Sequence, residues 1–208
     1  MKAKFLLVSL GFLIAPAVNA ALIITTLSSP FTVLNGGSQN INLNSDLGST
    51  GDTTTDLSIT VTDLSMFGLG KALGANRAVS GATGSFASFG SGSTGNPLAI
   101  ALPFGGNVTP SLGYNVNPTF LALTTDSSAQ WTPANPDAYL GVQFQIGANT
   151  HYGWIHVLWN EAASRATIDQ YAYESTPNTA APITAVPEPA PAMFLGLFGA
   201  SMIFRRRK

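Results

Sequence analysis

The chain has 208 residues, no cysteine and a formal net charge of −1, so Cys-ligated zinc, iron–sulfur clusters and thiol catalysis are excluded. Only Lys71, Arg77 and Arg165 of the nine Lys/Arg lie away from the two ends, against ten Asp/Glu between Asp46 and Glu188, a formal charge of −7 for that stretch. So few cations cannot neutralise a phosphate backbone, which excludes nucleic-acid binding and disfavours anionic membrane surfaces.

The first segment, MKAKFLLVSLGFLIAPAVNA, carries Lys2 and Lys4, then an apolar run from Phe5 to Ile14 that Pro16 ends. Val18 and Ala20 stand at positions −3 and −1 of a cut between Ala20 and Ala21. Charged start, apolar run and small-residue site form the pattern of a secretory signal peptide. The run is about half of the ~20 residues a membrane span needs. Residues 1–20 are expected to form a signal helix, handled by the Sec machinery and removed by signal peptidase. The oxidising compartment beyond would permit disulfides, and this chain uses none.

From Ala21 to Thr176, short runs rich in β-branched and aromatic residues alternate with clusters of Gly, Pro, Asn, Asp and Ser. In chain order they are LIITTL, FTVL, INL, DLSITVTDLSMF, SFASF, PLAIALPF, PTFLALTT, YLGVQFQI, HYGWIHVLW and RATIDQYAYE. Helical periodicity is lacking, and there is no repeat of fixed period. The reading is an all-β domain over residues 21–176, an antiparallel β-sandwich or jelly roll. Its stretch from Gly68 to Gly95, rich in Gly, Ala and Ser, reads either as weak strands or as a long surface loop.

Early in this domain, NLNSDLGSTGDTTTD gathers Asp46, Asp52 and Asp56 with Asn42 and Asn44. These are the hard oxygen ligands that calcium prefers, at spacings that do not match the twelve-residue calcium loop. Asn and Asp are also common turn residues, and calcium stays a secondary reading.

The clearest local pattern spans residues 139–174. Leu140, Val142, Phe144 and Ile146 alternate with Gly141, Gln143 and Gln145, giving one apolar and one polar face. Gly147 to Thr150 supplies a turn, HYGWIHVLW returns, and ATIDQYAYE follows the loop NEAASR, so a three-stranded meander is expected. His151 and His156 are the only histidines, and five residues of strand send them to opposite faces, unable to share an ion. The same count sends Asp169 and Glu174 to opposite faces, while Glu161 sits in a loop, so no pair of carboxylates is set for glycoside hydrolysis. No Gly-x-Ser-x-Gly elbow occurs either, and no catalytic residue is assigned. Aromatics crowd this half: Trp131, Tyr139, Tyr152, Trp154, Trp159, Tyr171 and Tyr173. Tyr152 and Trp154 share one strand face, as do Tyr171 and Tyr173. These four are the candidates for stacking on sugar rings, against the ordinary alternative that they are core and cross-strand pairs.

Prolines at 177, 182, 187 and 189 then keep residues 177–186 extended as a linker. The chain closes with Val186-Pro187-Glu188-Pro189, an apolar stretch from Ala192 to Phe204, and Arg205-Arg206-Arg207-Lys208. In this order, behind a signal peptide, residues 187–208 resemble a PEP-CTERM sorting tail. Tails of this form also go by the name ice-binding protein C-terminal domain, a label for the tail that implies no ice binding. The resemblance implies a Gram-negative bacterium and an exosortase-type membrane protease as processing partner. AYLGVQFQIGANTHYGWIHV and ATIDQYAYE are further similar to a block in uncharacterised PEP-CTERM exported proteins.

Physical chemistry fits that implication. Ala192 to Phe204 is 13 residues, about 20 Å as a short apolar helix against a hydrocarbon core of about 30 Å, which makes a marginal anchor. The four cations act as a stop on the cytoplasmic side, and the flanking prolines leave Glu188 extended for a protease. The expected function is therefore an exported, non-enzymatic protein, held briefly in the inner membrane and then sent to the cell surface or extracellular matrix. There it has a structural or interaction role, with extracellular polysaccharide as a partner. A carbohydrate-binding module is the second reading and a secreted hydrolase the third.

Overall fold

A computed structural model describes residues 21–43, 56–67, 70–77, 85–91, 95, 97–116 and 119–184. The signal segment, Asp46, Asp52 and the sorting tail from Val186 to Lys208 lie outside the described residues, as do both expected terminal helices.

The described chain is nearly all-β. In order its strands are β1 (Leu22–Leu34), β2 (Ser38–Ile41), β3 (Leu57–Asp63), β4 (Lys71–Arg77), β5 (Ser85–Ser91), β6 (Pro97–Ala99) and β7 (Ala101–Leu102). Then come β8 (Asn107–Val108), β9 (Tyr114–Asn115), β10 (Thr119–Leu123), β11 (Asp137–Ile146), β12 (Asn149–Asn160), β13 (Arg165–Glu174) and β14 (Ala181–Pro182). One 3-10 turn, Ser65–Phe67, is the only helical element among the described residues, and none of those residues forms a helix long and apolar enough to cross a membrane. The segment from Gly68 to Gly95 holds two strands, β4 and β5, so its small-residue composition did not prevent pairing.

The strands join into one sheet in the order β1-β13-β12-β11-β5-β6-β10-β4-β3-β2, with β7 and β9 attached beside it and β14-β8 as a separate pair. The path curls until β1 returns against β2 and β3. The all-β expectation is met, and the architecture is a nearly closed, barrel-like sheet.

Alternation explains how each half seals the interior. Leu57, Ile59 and Val61 of β3, with Leu73 of β4, point inward from one half. Leu140, Val142 and Phe144 of β11, with Ile155 and Val157 of β12, meet them from the other. Each such side chain, fully withdrawn from water, contributes about 1.5–3 kcal/mol relative to exposure.

The meander forms as expected, in tighter form. Ile146 pairs with Asn149, so the turn between β11 and β12 is only Gly147 and Ala148. Gly147 has φ 61°, the left-handed backbone that the first position of a two-residue hairpin turn demands and glycine adopts without cost. The outer face of the meander, however, does not all meet solvent. Leu102, Val108, Ala181 and Ile183 pack on Tyr152, Trp154 and Ala172 as a second, smaller core, so residues 181–183, expected in an extended linker, belong instead to the folded domain. Two backbone bonds hold this cover in place: the Gly105 N–H donates to the Ile183 carbonyl, and the Ile183 N–H donates to the Gly106 carbonyl.

Candidate functional site

The four aromatics singled out for sugar stacking are buried: Tyr152, Trp154, Tyr171 and Tyr173 are all 6 % exposed or less. Tyr171 and Tyr173 belong to the main core, and Tyr152 and Trp154 lie under the small cover. The Trp154 indole N–H donates to the Pro182 carbonyl at 3.0 Å, and the Tyr152 hydroxyl accepts from the Gln143 amide at 3.2 Å. None offers a ring face to a ligand. A pattern of period two distinguishes two faces of a strand, and here both faces are covered.

His151 and His156 do fall on opposite sides of β12. His151 is buried beside Phe144 and Tyr173, its Nδ1–H donating to the Glu174 carbonyl oxygen at 2.9 Å. His156 lies on the outer side, clamped between two carboxylates: Nε2 is 2.5 Å from Asp137 and Nδ1 is 2.6 Å from Asp169. Each ring nitrogen thus has a carboxylate oxygen of its own. Three adjacent strands are thereby stapled side chain to side chain. Tyr139 stacks on the imidazole at 4.6 Å and meets Trp154 edge-on at 5.2 Å. Burial first, then the negative charges of Asp137 and Asp169, hold the Tyr139 hydroxyl above its ordinary pKa. This cluster was not found in the sequence. Its members are 32 residues apart from end to end, and only the register of β11, β12 and β13 brings them together.

The pairing of β12 with β13 slips after His156, whose neighbour is Gln170 while Val157 faces Ile168. The extra residue is Asp169, and the bulge turns it outward, onto the side that also carries Glu174. The expected opposition of the two carboxylates is thus undone by the bulge. They remain five residues of strand apart, about 16 Å, and Glu174 is buried, with its Oε1 accepting from the Thr176 N–H at 2.9 Å. Glu161 lies in the β12–β13 turn as expected, where its carbonyl accepts from Lys71 Nζ at 2.8 Å. Asp56 is buried and its Oδ2 accepts from the Leu43 N–H at 2.9 Å, so this carboxylate holds the chain leaving β2. Among the described residues, no group of three His, Asp or Glu is placed to hold a metal ion.

Two stretches of concave surface contrast in their charge. At one end of the meander, depressions of about 420 and 320 Å³ share Pro136, Trp159 and Asn160. On the opposite half, a narrower groove of about 100 Å³ lies between Thr60, Thr62, Leu64, Ala72, Gly74, Asn76, Thr119 and Phe120. The first is flanked by Asp137, Glu161 and Arg165, whereas no charged side chain lines the second. The groove's polar row was legible in DLSITVTD, where Ser58, Thr60 and Thr62 alternate with inward Leu57, Ile59 and Val61. Phe120 was not, because Leu121, Ala122 and Leu123 follow it without alternation. Comparison of the chain with protein-family models, with curated proteins and with solved structures gives no match.

Proposed function

We propose that this chain is an exported β-protein of a Gram-negative cell surface or extracellular matrix, with a structural or interaction role there and no catalytic one. The observation that carries this is the ordered tail, from Val186-Pro187-Glu188-Pro189 through the apolar stretch to Arg205-Arg206-Arg207-Lys208. Its PEP-CTERM form makes an exosortase-type protease the processing partner. The N-terminal signal pattern supports the same route, with Sec passage and a cut between Ala20 and Ala21. The strands described run from Leu22 to Pro182, between the two signals. In this reading the two halves of the curled sheet face one another as a flattened, sandwich-like barrel. Its many buried large side chains suit a domain that uses no disulfide to survive outside the cell.

The test is immunoblotting of membrane, surface and medium fractions with a tag near each end. Neutral residues in place of Arg205, Arg206, Arg207 and Lys208 remove the stop and release unprocessed protein. Pro187, Glu188 and Pro189 changed together to alanine leave a membrane-held precursor with its tail intact. If both variants distribute and mature like the parent, the sorting proposal fails.

A further inference from the structure

We infer that the groove on the outer side of β3, β4 and β10 is a binding site for a neutral polysaccharide or oligosaccharide. This inference names the partner class of the matrix-interaction reading and rests on that reading for the setting in which the domain meets glycans.

Gly74 stands at the centre of β4. Glycine in the middle of a strand costs stability, because it loses more backbone freedom on folding and leaves nothing to pack. Its backbone here is not left-handed, so conformation does not require it. What glycine provides is space. A side chain would stand 3.3 Å from Thr60 Oγ1 and 3.9 Å from the Phe120 ring, filling the slot between a hydroxyl and an aromatic wall. Pairing registers place Ser38, Thr60, Gly74 and Phe120 in one row across four strands. A neighbouring row holds Asn40, Ser58 and Asn76. Gly74 thus opens a trough in a field of hydroxyls and amides, with one half-buried ring along its side.

Three properties select the ligand. Hydroxyl and amide groups both donate and accept, which matches a molecule whose own groups are hydroxyls. The Phe120 ring offers a flat apolar surface to the C–H face of a sugar ring. No charged residue lines the groove, and the domain around it, residues 21–176, carries a formal charge of −6, so an acidic polymer is repelled while a neutral one is not. The Thr60 hydroxyl is held only by long contacts of 3.4 Å, to the Gly74 carbonyl oxygen and from the Asn76 amide. Such contacts are readily exchanged for shorter ones to a ligand. At about 100 Å³ the groove admits one edge of a sugar ring and leaves the rest of the chain in solvent, as suits a site on a long polymer.

The experiment is isothermal titration of the full chain, in mild detergent, with cellohexaose, laminarihexaose and maltohexaose, and with hexagalacturonate as the acidic counterpart. The expected result is binding of at least one neutral hexasaccharide and none of the acidic one. Gly74→Leu, which fills the slot, and Phe120→Ala should each weaken that binding roughly tenfold or more. Asp137→Asn, on the other half of the molecule, should leave it unchanged. Should circular dichroism show Gly74→Leu misfolded, the double variant Thr62→Ala/Asn76→Ala removes the polar lining without touching the backbone and should weaken binding likewise. No binding of any neutral glycan, binding that survives all three groove variants, or preference for the acidic hexamer would overturn the site. Because titration reads the groove and fractionation reads the sorting, either proposal can fail while the other stands.

Discussion

The two halves of the curled sheet solve different problems. The meander of β11, β12 and β13 has strands of 10, 12 and 10 residues and is covered over much of both faces. The half built from β2, β3, β4, β6 and β10 has strands of 4, 7, 7, 3 and 5 residues, and its outer face ends in an open groove. The meander also concentrates charge, with Asp137, His156 and Asp169 tied together, whereas the groove is neutral. The contrast teaches a division of labour. One half holds the fold with large buried aromatics and a side-chain staple, and the other spends a central glycine on leaving a surface open.

The largest expected effect separates the two halves by stability. Trp154→Ala empties a site under the small cover and abandons the Pro182 carbonyl, and should cost about 3–5 kcal/mol in denaturant unfolding. Phe120→Ala, on the half-buried groove wall, should cost only about 1–2 kcal/mol. Equal losses would erase the contrast.

Next comes Gly153 of β12, where an added Cβ would run into the Ala172 carbonyl oxygen and come within 3.0 Å of Tyr173 Cβ. Here the obstacle is the neighbouring strand's backbone, so Gly153→Ala should cost about 2–3 kcal/mol. Gly74→Ala, by contrast, meets a hydroxyl that can rotate, and should shift stability by about 1 kcal/mol or less. Reversal of that order would show that the groove half is the more tightly packed one.

The staple should matter less than the packing. His156→Ala removes the contacts to Asp137 and Asp169 from a partly exposed site and the stacking on Tyr139, for about 1–2 kcal/mol in all. In denaturant unfolding, the losses from His156→Ala and Asp169→Asn should be non-additive in the double variant, because both act on one contact. Additive losses would refute the clamp as described.

The smallest effect has its distinguishing part in alkaline solution. Tyr114 donates to the Thr109 carbonyl at 2.9 Å, and burial, with a lesser contribution from Tyr152, pushes its hydroxyl well above the ordinary 10.0. Since the folded state keeps this proton and the unfolded state releases it near pH 10, the stability it contributes is full below that pH. It is lost as pH rises toward the folded value. Tyr114→Phe should therefore flatten the fall in stability above pH 10, at a cost of about 1 kcal/mol at neutral pH for the lost hydrogen bond. An unchanged alkaline limb would mean that Tyr114 is not held neutral.

How much was legible varied with the length of the pattern. β11 could be found because Leu140, Val142 and Phe144 alternate without interruption, and β12 because a glycine-led turn reverses the chain just after. β4 and β5 were left open, because Lys71–Arg77 and Ser85–Ser91 hold small residues whose burial is decided by the neighbouring strands. The stacking candidates failed for a related reason. Tyr152 and Trp154 do share a face, and whether that face is wet depends on residues 102–108 and 181–183, which are remote in sequence. The Asp169 bulge was likewise invisible, since a one-residue slip depends on pairing across two strands.

By itself, then, the sequence determined the class of fold, the meander, and the opposition of His151 and His156. All of these rest on neighbours in the chain, where spacing alone sets face and turn. Tertiary structure decided that the sheet curls into a nearly closed barrel, that the aromatics are core, that His156 is clamped by Asp137 and Asp169, and that Thr60, Gly74 and Phe120 frame a groove. Each of these depends on the register between strands, and register is set by the packing of both faces at once.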